Sequence, residues 1–144
     1  MVIKVNTKKI NYRLEFNGKY ALIIGDSATG KTTFHKAITT ATSGHSGSTK
    51  VECEHSVIAL ASNADEILLE AYHDVVFVMD ENCKLLHLKN IGTLLKNSDN
   101  YFVIISRKKF DWLPVSVDNV FKIKQSGQNY HFVPMVPRYN TREY

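Results

Sequence analysis

Three short stretches of the chain are continuously apolar, at residues 20–24, 75–79 and 101–105. Runs of five such residues bounded by turn formers read as strands buried on both faces. Between and around them the pattern changes period. Ile10, Tyr12, Leu14 and Phe16 alternate with Asn11, Arg13 and Glu15, the signature of a strand with one buried face, and Asn17-Gly18 then predicts a hairpin turn into the first apolar run. Phe34, Ala37, Ile38 and Ala41 recur at helical spacing. Residues 42–49 are Ser-, Thr- and Gly-rich and read as a loop, and a strand is predicted from about 50 to 60.

Asn63 with Glu66 three positions later predicts a helix start, with Ile67, Leu68 and Ala71 on one face. Residues 83–95 suggest another helix, interrupted at Gly92. Near the C-terminus Phe121 and Ile123 alternate with Lys122 and Lys124. A turn at Ser126-Gly127 then lets Tyr130 to Val133 fold back as a second hairpin. Strands alternating with helices predict a three-layer α/β fold with a mostly parallel sheet, carrying an N-terminal antiparallel hairpin and a C-terminal β-hairpin. Residues 1–144 are expected to form one domain, with 134–144 as a flexible tail.

The first apolar run leads directly into Gly25-Asp26-Ser27-Ala28-Thr29-Gly30-Lys31-Thr32, followed by Thr33 and the predicted helix. Each part of this segment has its own physical use. Gly25 and Gly30 permit backbone geometry in which successive amide N–H groups point at phosphate oxygens, and the helix start adds its positive dipole end. Lys31 can reach the β and γ phosphates, and the Thr32 hydroxyl can ligate magnesium. With average residue frequencies, a chance match to this pattern in a chain of this length is under about 1%.

From Tyr20 to Arg107 the chain resembles the P-loop NTPase superfamily. The resemblance makes residues 25–33 the nucleotide-binding segment, ATP the ligand and Mg2+ its companion. Val75-Val76-Phe77-Val78-Met79-Asp80-Glu81 is similar to the superfamily's second motif, so Asp80 is expected to hold magnesium together with Thr32. Asp followed by Glu resembles the branch that contains the ABC and AAA-type ATPases. That resemblance implies that Glu81 orients the attacking water. It also makes Ser106, after the run 101–105, a candidate γ-phosphate sensor and Arg107 a candidate contact for phosphate or a neighbouring subunit. With Lys31, these are the candidate catalytic residues.

Departures from the named subfamilies narrow the resemblance. No Leu-Ser-Gly-Gly-Gln signature separates the two motifs, and Gln125-Ser126-Gly127-Gln128 falls in the C-terminal turn. Cys83 stands where a GTPase would have a glycine three residues after the aspartate, and no Asn-Lys-x-Asp segment is present. The residues after Arg107 read as a loop and hairpin, with no helical lid. The expected activity is ATP hydrolysis that depends on assembly with itself or with a protein partner. Two rival readings are a small-molecule or nucleotide kinase and a nucleotide-sensing module with little turnover. Against the kinase, the only arginines are Arg13, Arg107, Arg138 and Arg142, with no cluster over the site.

Composition changes this picture little. A formal charge of +4 suits a phosphate binder and leaves nucleic acid as a candidate partner without establishing it. Cys53 and Cys83 are too few for a disulfide framework, and no apolar run approaches the roughly 18 residues of a membrane helix, so a cytoplasmic protein is expected. Cys53, His55, Cys83 and His87 match no zinc spacing, and His45 reads as a solvated loop residue. Tyr12 and Phe16 are better explained by core packing than by stacking on adenine.

Overall fold

The computed structural model describes residues 1–25, 31–43 and 47–135, with residues 31–33 described by their backbone alone. Nine strands form one sheet: β1 (Val2–Asn6), β2 (Asn11–Glu15), β3 (Tyr20–Ile24), β4 (Lys50–Glu52), β5 (Val57–Ala59), β6 (Val76–Asp80), β7 (Tyr101–Ser106), β8 (Val120–Ser126) and β9 (Asn129–Pro134). Their spatial order is β4-β1-β2-β9-β8-β3-β7-β6-β5. Among the described residues three α-helices accompany them: α1 (Lys31–Thr42), α2 (Ile67–Ala71) and α3 (Ile91–Asn97).

The order of the edges dictates the shape. β4 and β5 stand at opposite ends of the sheet, yet only Cys53, Glu54, His55 and Ser56 connect them. A flat sheet of nine strands would hold its edges about 38 Å apart at about 4.8 Å per strand. The connection can reach only about 17 Å. The sheet therefore curls into a nearly closed, barrel-like form, and among the described residues no ladder joins β4 to β5.

Helix α1 fills the concave side. Phe34 is fully buried and meets Tyr12 at 5.1 Å and Phe132 at 4.9 Å between ring centroids, while Ala37 and Ile38 share a cluster with Val57, Val76 and Val78 from the opposite wall. His35 Nε2 also lies 3.1 Å from the Leu60 carbonyl oxygen, tying the helix to the end of β5. A second cluster covers the outer face of β3, β6 and β7, where Leu69 of α2, Leu85 and Leu86, Ile91 and Leu95 of α3 and Leu113 pack on Leu22, Phe77, Phe102 and Ile104.

This architecture corrects the predicted three-layer α/β fold with a mostly parallel sheet. Three of the eight neighbouring strand pairs are antiparallel, so the sheet is mixed; it is curled nearly closed, and the helices among the described residues are few. β5, β6, β7, β3 and β8 form a contiguous parallel block, but β9, β2, β1 and β4 extend it into a second wall instead of leaving two open helix-covered faces. The expected N-terminal hairpin between β2 and β3 is also corrected. Gly18 does turn the chain, with φ +80°, but β9 and β8 lie between β2 and β3. Asn119 holds that opened turn by accepting from Asn17 N at 3.4 Å and donating to the Asn17 carbonyl. β2 pairs with β1 and β9, and β8 folds back on β9 around Gly127 at φ +61°.

Two further expectations change. The strand expected over 50–60 is two strands on opposite edges, broken by Cys53-Glu54-His55-Ser56. The helix expected over 83–95 is a 3-10 turn at Lys84–His87 followed by α3, with the break at residues 88–90, while Gly92 lies inside α3 beside Trp112. No helix of the described residues is long and apolar enough to cross a membrane.

Candidate site at the carboxyl ends of β3, β6 and β7

Three parallel neighbours bring the candidate chemistry to one end of the sheet. β7 lies between β3 and β6, with Ile24 opposite Ser106 and Asp80 opposite Ile105. Every hydrophobic residue of β6 and most of those in β3 and β7 are buried, so the register is fixed by packing on both faces. Gly25 N donates to the Ser106 carbonyl at 3.4 Å, which sets the first residue of the glycine loop beside the end of β7.

Past the strands, the backbone turns are held by side chains. Asp80 accepts from Asn82 N at 2.8 Å, and Ser106, fully buried, accepts at Oγ from Lys108 N at 3.1 Å. Glu81 accepts from Arg107 three ways: from the backbone N at 3.2 Å and from Nε at 3.1 Å to one carboxylate oxygen and 3.3 Å to the other. His87 Nε2 lies 2.8 Å from the Glu81 carbonyl oxygen, bracing the same turn from the following 3-10 segment. Beside this cluster opens a cleft of about 470 Å³, lined by Glu81, Asn82, His87, Ser106, Arg107, Lys108 and Phe110.

Burial pushes the Cys83 thiol above its ordinary range, with the nearby Asp80 charge acting in the same direction, while a Leu85 backbone hydrogen bond and Lys84 act in the opposite one. Cys83 is thus an inert packing residue behind the site, donating weakly to the Ala61 carbonyl at 3.6 Å.

Gly25, Asp80, Glu81, Ser106 and Arg107 are therefore brought together. Asp26, Ser27, Ala28, Thr29 and Gly30 lie outside the described residues. So do the side chains of Lys31, Thr32 and Thr33, although Lys31 is the first residue of α1. His45, Arg138 and Arg142 likewise lie outside the described residues. Tyr12 and Phe16 are each 1% exposed in the core, which removes them as nucleobase platforms. Cys53 and His55 sit in the β4–β5 connection, where His55 packs at 4.8 Å on Tyr101.

Sequence reasoning did not assign Lys108 or His87 to this cleft. The basic run Arg107-Lys108-Lys109 directly after a buried strand was the available signal for Lys108. His87 carried none, because its placement depends on the 3-10 turn that replaces the expected helix. No family model, curated protein or solved structure matched the chain.

Proposed function

We propose that the chain binds a magnesium–nucleoside triphosphate, with ATP as the expected nucleotide, and hydrolyses it slowly. The observation that carries the reading is the convergence of two sequence motifs about fifty residues apart. The first residue of the glycine loop and the Asp80-Glu81 pair emerge from β3 and β6 on either side of β7, at the same end of the sheet. Ligands of parallel sheets bind beyond the carboxyl ends of the strands. The reading needs only this local parallel block; it does not need the layering that the curled sheet overturned.

In this reading the amides of residues 25–30 and the start of α1 receive the phosphates, and Lys31 neutralises them. Thr32 and Asp80 fit the oxygen-donor chemistry that magnesium requires. Magnesium would supply charge neutralisation to the phosphates. Glu81 would orient the attacking water once its carboxylate is released from Arg107, and Ser106 would donate to a phosphate oxygen.

The Glu81–Arg107 pair specifically favours the second reading, a nucleotide-sensing module with little turnover. The carboxylate is already occupied by two N–H groups of Arg107, the backbone amide and Nε, which hold it away from an attacking water. Calorimetric titration with Mg-ATP and a phosphate-release assay on the same sample separate the readings. Binding with release supports a hydrolase, binding without release supports the sensor, and no binding refutes both. Adding candidate phosphoryl acceptors to the assay tests the kinase alternative.

A further inference from the structure

The solvent face of the second wall carries two ordered polar rows that the triphosphate site does not use. Across β4, β1, β2, β9 and β8 the ladder registers align Glu52, Lys4, Arg13, His131 and Lys124 as successive cross-strand neighbours. Two residues further along the strands, Lys50, Asn6, Asn11, Asn129 and Ser126 align in the same way. Both rows point outward, because the residues between them, Val51, Val5, Tyr12 and Tyr130, belong to the core beneath α1. Asn11 Nδ2 donates to Asn129 Oδ1 at 3.2 Å, which keeps the amide row in line.

Lys4 directly opposite Arg13 is an unfavourable arrangement, since like charges facing each other across a ladder destabilise it. Lys122 adds a further exposed cation on the same face of β8. Five Lys and Arg residues thus stand against two carboxylates, Glu15 and Glu52, of which Glu15 is paired to Arg13 at 3.2 Å. The face spans about 19 Å over its five strands. Neither of these two rows holds an aromatic or aliphatic side chain, so neither offers the anchors of a protein-binding hot spot or the platforms on which unpaired bases stack; the half-buried Val2 and Val133 stand in the next row, opposite Glu15 and Lys122.

We infer that this wall is a docking face for the phosphodiester backbone of duplex nucleic acid, contacted by the Lys4–Arg13–Lys124 row and the adjoining amide row without reading sequence. Lysine, arginine, asparagine and serine side chains are the usual donors to phosphate oxygens. The face stands on β1, β2, β4, β8 and β9, away from the β6 and β7 ends, so the inference is independent of the proposed triphosphate site.

Fluorescence anisotropy with a labelled 20-base-pair duplex tests it, using the full chain and a salt series. Dissociation constants in the micromolar range and a log–log salt slope of about −3 to −4 are expected. Lys4→Ala with Lys124→Ala should weaken binding at least about tenfold and reduce the slope by about 2. Because both side chains are exposed, with Lys4 between Arg13 and Glu52 and Lys124 opposite His131, the double variant should melt close to the parent, which separates lost contact from lost fold. Lys31→Ala should bind the duplex as the parent does. Absence of duplex binding, an unchanged affinity in the double variant, tighter binding of the unpaired strand, or equal competition by polyglutamate would each overturn the inference.

Discussion

The Arg107 guanidinium lies 3.1 Å from the Glu81 carboxylate, joining the residue after β7 to the residue after β6 across the mouth of the candidate site. Arg107 was expected to act on phosphate or on a neighbouring subunit; in the folded chain it holds the proposed water-orienting carboxylate of its own site. Its side chain is 69% exposed, and an ion pair of that kind is worth about 0.2–1 kcal/mol. Arg107→Ala should therefore raise basal ATP turnover of the isolated chain by no more than about fivefold. A phosphate-release assay reads this directly, and a fall of tenfold or more would return Arg107 to a direct role on the nucleotide.

Glu81→Gln should retain Mg-ATP but lose turnover, because the amide keeps the shape and cannot accept a proton. The expected loss is about 10²–10⁴-fold in rate, with little change in calorimetric affinity. Equal release rates for variant and parent would remove Glu81 from the chemistry.

Phe34→Ala should destabilise the fold by about 3–5 kcal/mol, since the ring is fully buried between the two walls against Tyr12 and Phe132. Urea unfolding gives the value. Because Phe34 seats the first turns of the helix that begins at Lys31, Mg-ATP affinity should fall as well, under conditions where the variant remains folded.

What could be read in the sequence divides along the locality of the signal. β3, β6 and β7 were legible because 20–24, 75–79 and 101–105 are buried on both faces and therefore apolar throughout. α1 was legible from Phe34, Ala37 and Ile38, which form its buried stripe. From these elements the convergence of Gly25 and Asp80 followed. The curled shape did not, because it depends on β2 pairing with β9, more than a hundred residues away, and local patterning carries no information about that partner. The Asn17-Gly18 turn misled for the same reason: the turn forms, but which strands it separates is decided by β8 and β9. β1 carried a usable signal that went unread, with Ile3 and Val5 alternating against Lys4 and Asn6.

Stability at alkaline pH should report Cys83. Burial raises its thiol above the ordinary value of 9.0, so above pH 9.0 the unfolded chain gives up its proton first and the folded chain retains it. Stability is therefore full below pH 9.0 and falls as pH rises from there towards the folded-state value. Cys83→Ala should remove that component, reducing the decline between pH 9 and 10 by up to about 1.4 kcal/mol. Denaturant melts of parent and variant across this window measure it, and parallel declines would contradict the assignment.

In the proposed function, residues 25–32 would cradle the phosphates of a magnesium–nucleoside triphosphate beside Asp80. Calorimetric titration of Mg-ATP into the parent chain and Lys31→Ala, with folding of both confirmed by their melts, addresses it most directly. Saturable one-to-one binding by the parent and a loss of about 2–3 kcal/mol in the variant are expected, the cost of removing a charge-assisted contact from a site built around it. Equal affinity in the two proteins, or no heat of binding in the folded parent, would contradict it.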